Sequence, residues 1–163
     1  MQVRAELPDD AAAIRAVICE AFGQEGEADL VEALRAAGAL TCSLVAIVDD
    51  AIVGHVAFSP VHVDATPAIG LAPVAVRVAH QRRGIGDALI REGLARLAAA
   101  GHELVIVLGH ARYYPRFGFV PAHQRGISWE HPVDPASLMV LELRPGAARP
   151  GVVRYHPAFA AVS

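Results

Sequence analysis

The chain has 163 residues, 54% of them hydrophobic and 19% charged. That length fits a single domain, 1–163, with a substantial buried core, and a formal net charge of −3 gives no electrostatic reason to expect nucleic acid or an acidic membrane surface as a partner. All 14 basic residues are arginine, which excludes a Walker-type phosphate loop and Schiff-base chemistry on a lysine of this chain.

The opening Met1-Gln2-Val3-Arg4-Ala5-Glu6 has no apolar run of the signal-peptide kind and predicts a short strand around Val3. Pro8-Asp9-Asp10 predicts a helix start, since proline and aspartate suit a first turn. Ile14, Val17, Ile18 and Ala21 then recur at helical spacing, and Phe22-Gly23 ends the helix. A second helix is expected from Glu27 to Ala37, stopped by Gly38. The apolar runs Leu44 to Val48 and Ile52 to Phe58, separated by Asp49-Asp50, read as an antiparallel hairpin. Asp64 to Pro67 reads as a turn, and Gly70 to Val76 as a strand interrupted by Pro73.

A strong helix is expected from about Gly84 to Ala100, with Ile85, Leu89, Leu94 and Leu97 on or near one face. Leu104 to Leu108 is wholly apolar, as in a strand buried on both faces. Strand, helix and strand in this order predict a parallel pair. A short helical turn follows at Ala111 to Phe117, and the last clear strand is Leu138 to Leu143. The core is expected over about residues 2–143, with residues 144–163 an irregular tail holding a short strand near Val152-Val153. The fold class is α+β: an antiparallel sheet with one central parallel pair. Cys19 and Cys42 are too few for a disulfide framework and lack metal-ligand spacing, so they read as small buried hydrophobes and no metal is expected. No apolar stretch approaches the roughly 18 residues of a membrane span, so a cytoplasmic protein is expected.

The chemistry concentrates between Leu71 and Gly86. The strand Leu71-Ala72-Pro73-Val74-Ala75-Val76 leads to His80-Gln81-Arg82-Arg83-Gly84-Ile85-Gly86 and then a helix. The first amides of a helix lack internal partners, the helix dipole is positive there, and glycines let a ligand approach the backbone. Together they suit a pyrophosphate. The dinucleotide fingerprint is incomplete, because Leu89 stands where its third glycine belongs. Pro73 cannot donate a ladder bond, so a bulge or splay is expected there, leaving backbone groups to receive an extended ligand.

Gln81-Arg82-Arg83-Gly84-Ile85-Gly86 resembles the Q/R-x-x-G-x-G/A signature of the GNAT acetyltransferase superfamily, and Val74-Ala75-Val76 before it and Ala88-Leu89-Ile90 after it fit the same pattern. Tyr114-Pro115-Arg116-Phe117-Gly118-Phe119 resembles that family's Y-x-x-x-G-F segment. Gly101 to Phe119, with the early Phe22-Gly23, is similar to the YhbS-type branch. The resemblance spans residues 2 to 143. It implies a mixed, mostly antiparallel sheet with a splayed parallel strand pair and flanking helices. It also implies an N-acetyltransferase that uses acetyl-coenzyme A as co-substrate, with a small-molecule or protein amine as acceptor and, as in many family members, a homodimer. Val74 and Val76 would bond the pantetheine arm, and the Val76 amide would serve the acetyl carbonyl. Gln81, Arg82, Arg83, Gly84, Ile85, Gly86 and Asp87 would complete the coenzyme A site. Tyr114 matches the family's general acid, with Tyr113 in reserve. The chain departs from the family in having Gly109-His110-Ala111 where many members carry an asparagine.

The base that takes the amine proton is not singled out by the residues. Glu25, Glu27, His55, His62 and Glu142 are all candidates, and Ser59 shares a strand face with His55 by alternation. The same fold could instead hold an acyl-coenzyme A without turnover, as a regulatory module.

Overall fold

In the computed structural model, which describes residues 1–161, the apolar runs become nine strands and the periodic stretches three α-helices. The helices are α1 (Ala11–Phe22), α2 (Gly26–Ala36) and α3 (Ile85–Ala99). The strands are β1 (Gln2–Ala5), β2 (Cys42–Val48), β3 (Ala51–Val63), β4 (Thr66–Val76), β5 (Leu104–Leu108), β6 (Val120–Pro121), β7 (Ile127–Trp129), β8 (Leu138–Glu142) and β9 (Gly151–Arg154). The sheet order is β1-β2-β3-β4-β5-β8-β6, with β9 paired to β3 and β7 to β9. Two compact units share β3 and β4: one holds Met1–Ser59, Ala72–Arg96 and residues 157–161, the other Pro60–Leu71 and Leu97–His156.

In the first unit, α1 starts at Ala11 rather than at Pro8. Pro8–Asp10 forms a 3-10 turn, because the Asp10 carboxylate accepts the Leu7 amide at 2.7 Å and the Arg4 guanidinium at 2.7 Å. Ile14, Val17 and Ile18 are buried, as their spacing requires. Gly23 ends α1 in the left-handed region (φ 68°) and returns its N–H to the Cys19 carbonyl. The antiparallel register of β2 on β3 sets Val45 opposite His55 and Ser43 opposite Ala57. Val45 and Ala57 join Ile14, Val17, Ile18, Ala28 and Val31 in the core beneath α1 and α2. The opposite face of β3 meets α3. A Cβ on Gly54 would lie 3.0 Å from Ile85 and Leu89, and one on Gly93 only 2.3 Å from the Phe58 ring. Glycine at both positions is therefore what lets this helix lie close on this strand. After Pro157 the tail forms a 3-10 turn, and Ala158 and Phe159 pack on Leu30, Leu34 and Ala39.

In the second unit, β4 and β5 are parallel, as the strand–helix–strand order predicted, in register at Ile69–Val105 and Gly70–Ile106. β8 pairs antiparallel with β5 from Leu104–Glu142 to Leu108–Leu138. The core combines Val61, Leu104, Ile106, Ile127, Leu138 and Val140. Several expectations need correction. β4 begins at Thr66, because the turn narrows to Asp64-Ala65 with Asp64 left-handed (φ 47°), and β3 runs on to Val63. Pro73 lies within β4 without ending it. The turn after β5 is a 3-10 turn over Tyr114–Phe117 only, stopped by Gly118 (φ 100°). Ile127–Trp129, where the sequence predicts no element, forms β7, while the short strand expected near Val152-Val153 is present as β9, whose Val153 is buried in the core.

Candidate active site

The first site element is the turn between β4 and α3. After the 3-10 turn Val78–His80, residues Gln81 to Gly84 are all exposed. Arg82 (φ 64°) and Gly84 (φ 81°) both occupy the left-handed region. An arginine pays a steric penalty there that a glycine does not. The first ladder bond of α3 runs from the Ala88 N–H to the Gly84 carbonyl at 3.0 Å, so the Ile85 and Gly86 amides open the helix with no carbonyl a turn behind them. Two arginines, two left-handed residues and the positive end of a 15-residue helix thus converge on one turn.

Leading into that turn, the Arg77 N–H bonds the Val53 carbonyl at 2.8 Å, so Arg77 faces β3. Strand alternation then turns the backbone groups of Val74 and Val76 the other way. The Val76 carbonyl receives the Gln81 side-chain amide at 3.0 Å. Gln81 therefore braces the strand end with its side chain. The Arg77 guanidinium bonds the Ile52 carbonyl (3.4 Å) and the Glu20 carboxylate of α1 (3.1 Å), and Glu20 also accepts the Val78 N–H at 2.9 Å. Sequence reading missed Glu20 and Arg77. Their contact spans 57 residues of chain and leaves no local periodic signal.

The second element lies in the other unit. Tyr114 opens the 3-10 turn and is 7% exposed. Its ring stands against Gly109, where a Cβ would come within 2.3 Å of it, and packs edge-on to Tyr113 and Phe119 at centroid distances of 5.1 and 5.7 Å. Burial pushes its phenol up to about 12, so it is protonated throughout the neutral range. Tyr113 is less buried, and the Arg116 guanidinium sits 4.4 Å over its ring, a packing role. Asp87 lies in the first turn of α3 and is partly exposed.

The candidate bases separate clearly. His55 is fully buried. Ser43 donates its hydroxyl proton to Glu6, so His55 donates from Nε2 to the Ser43 oxygen at 2.8 Å and keeps its lone pair on Nδ1, which has no partner among the described residues. Burial lowers the His55 pKa to about 4. Burial opposes ionisation of Glu6 too, but the bonds from Arg35 (2.8 Å) and Ser43 outweigh it and bring its pKa below the ordinary value. His55 is thus a core histidine. Glu142 is committed as well: it accepts the Ala148 amide at 3.0 Å and Arg125 at 3.2 Å, which lower its pKa. Glu27 accepts the Gln24 side chain at 2.7 Å, Glu25 lies 3.7 Å from Arg15 and is largely exposed, and His62 is exposed on β3 opposite Arg154. Ser59 is fully buried, with its hydroxyl unpartnered among the described residues. Those residues contain no cluster of metal-ligating side chains, and no helix in them is long and apolar enough to cross a membrane.

A family model described as an acetyltransferase (GNAT) domain matches residues 2–122. YhbS of Escherichia coli K12, described as an uncharacterized N-acetyltransferase, is 37% identical over 164 residues, with 98% of each chain covered. The crystal structure of YhbS from Escherichia coli in complex with CoA superposes with a TM-score of 0.95 at 35% identity, covering 99% of this chain and 93% of that one. A GNAT family acetyltransferase from Brucella melitensis, in complex with acetyl-CoA, superposes with a TM-score of 0.84 at 42% identity, covering 97% of each chain.

Proposed function

The chain belongs to the GNAT acetyltransferase family, and from that premise we propose that it is an N-acetyltransferase that moves an acetyl group from acetyl-coenzyme A directly to a primary amine. The observation that carries this reading is the turn from Gln81 to Gly86. It offers helix-opening amides, two exposed arginines and two left-handed residues to a pyrophosphate. Arg82 and Arg83 add charge-assisted bonds to the phosphates, while Gly84, Ile85, Gly86 and Asp87 give the backbone approach. The outward backbone groups of Val74 suit an amide of a pantetheine arm, and the Val76 N–H, whose own carbonyl is taken by Gln81, suits the acetyl carbonyl as charge develops on its oxygen.

In the reaction, the amine nitrogen attacks the thioester carbonyl carbon, the carbon–sulfur bond breaks, and coenzyme A leaves as its thiolate. The nitrogen sheds one proton to water or a base. Tyr114 is assigned the role of donor to the sulfur in this reading. At about 12, its phenol holds its proton more tightly than a thiol, whose reference pKa is about 8.5. Tyr114 therefore acts best as a hydrogen-bond donor to the departing sulfur, and the thiolate takes its proton from solvent. With His55 enclosed and Glu142 tied to Arg125 and Ala148, the proton from nitrogen leaves through water or an exposed acid of the Gln24–Glu27 segment.

The test is release of free coenzyme A thiol by the purified protein, with acetyl-coenzyme A and a panel of small amines and peptide N-termini. The reading predicts release that depends on the amine and saturates with it. Binding of acetyl-coenzyme A without release for any amine would instead favour a non-catalytic acyl-coenzyme A module.

A further inference from the structure

We propose that Glu20 is a positioning residue for the donor: its carboxylate, on the last turn of α1, fixes the chain leaving β4 so that the Arg82-Arg83-Gly84 turn is shaped before coenzyme A arrives. The inference rests on the donor site described above and adds a residue from another element to it.

Glu20 accepts two bonds from adjacent residues: the Val78 N–H on one oxygen at 2.9 Å and an Arg77 guanidinium N–H on the other at 3.1 Å. Arg77 is itself held by β3 through its own N–H to Val53 (2.8 Å) and its Nε to Ile52 (3.4 Å). Gln81 closes the far side by its bond to the Val76 carbonyl. Strand end, strand neighbour and helix end are therefore tied together within the few residues before the phosphate turn. Such fixing reduces the ordering that binding would otherwise require. Stability is not its purpose, because the Glu20 and Arg77 side chains are 41% and 32% exposed and an isolated pair at that exposure contributes little to folding.

Electrostatics alone argues the other way, which makes the sign decisive. Glu20 places a negative charge beside a turn that receives anions and neutralises an arginine next to it. Were charge the dominant effect, removing Glu20 would tighten binding.

The experiment is calorimetric titration of the full chain with coenzyme A, comparing wild type, Glu20→Ala, Glu20→Gln and Glu92→Gln. Glu92 pairs with Arg96 on α3 at 3.0 Å with similar exposure, and so controls for loss of a surface ion pair. Glu20→Ala is expected to bind about five- to tenfold more weakly. Glu20→Gln, whose amide oxygen still accepts the Val78 N–H, should recover part of the loss, and Glu92→Gln should match wild type. Amide hydrogen exchange at Val78 should speed up in Glu20→Ala and not in Glu92→Gln. Unchanged or tighter binding by Glu20→Ala, with wild type binding normally, would overturn the inference and leave the donor site intact. Failure of the wild type to bind coenzyme A would overturn the donor site, and this inference with it.

Discussion

Tyr114 owes its setting to a residue without a side chain. Its ring fills the space where a Cβ of Gly109 would lie at 2.3 Å, and Phe119 packs against it. Its hydroxyl is held in the protonated form by burial, so in the proposed reaction it is available to donate a hydrogen bond. Tyr114→Phe keeps the ring and removes the donor. It should leave the affinity for acetyl-coenzyme A unchanged and slow amine-dependent thiol release by roughly a hundredfold, the usual cost of losing one hydrogen-bond donor to charge that develops in the transition state. Steady-state rates beside calorimetric affinities separate the two effects. A fully active variant would take Tyr114 out of the mechanism. The motif Tyr114-Pro115-Arg116-Phe117-Gly118-Phe119 made this tyrosine legible in the sequence. The Gly109 contact was not, since nothing in Gly109-His110-Ala111 says that a ring returns onto the glycine.

Between elements, the turn from Gln81 to Gly86 is positioned by the closeness of α3 to β3. Gly93 on the helix faces Phe58 on the strand so tightly that a methyl group there would meet ring carbons at 2.3 and 2.6 Å. Gly93→Ala is an exchange that a helix interior normally favours. Here it should destabilise the fold by roughly 1–3 kcal/mol, because the ring or the helix must move. Denaturant unfolding of the variant checks this, and an unchanged or raised midpoint would show that the contact is loose. The helices and the parallel pair could be read from spacing alone, because Ile14, Val17 and Ile18, and Leu89 and Leu97, follow a period that only burial of one face explains. Strand ends were less legible. β3 and β4 reach Val63 and start at Thr66 because a two-residue turn at Asp64-Ala65 lets both strands continue past the apolar runs. β7 and β9 are three and four residues long, and parallel pairing of Ser128 with Val152 depends on chain segments far apart in sequence. Proline and glycine in the tail hide it further.

For the molecule as a whole, the Glu6–Ser43–His55 chain, with its histidine fully buried, ties stability to pH. The groups facing His55 are Ser43, Glu6 at 3.9 Å and, through Glu6, Arg35. The folded-state pKa of His55, about 4, lies below its ordinary 6.5. The unfolded chain therefore binds a proton more readily between those values, so stability is fully present above about pH 6.5 and declines as pH falls towards 4. The slope should approach about 1.4 kcal/mol per pH unit in that window. Unfolding midpoints of wild type and His55→Gln across pH 4 to 8 check it: the stability difference between the two should change across the window and stay constant above it. A difference independent of pH would mean that His55 keeps the same protonation in both states. In the proposed donor site, the turn from Gln81 to Gly86 holds the pyrophosphate of acetyl-coenzyme A. The most direct test of that site is calorimetric titration with acetyl-coenzyme A, a nicotinamide dinucleotide as control, on wild type and Gly84→Asp. Aspartate tolerates the left-handed backbone of Gly84 better than most residues, and no atom lies within 4 Å of a Cβ there, so the variant should fold. We predict binding of acetyl-coenzyme A but not the dinucleotide by wild type, weakened at least about thirtyfold by the added charge in Gly84→Asp. Equal affinity in a folded Gly84→Asp protein, or no binding by wild type, would contradict the assignment.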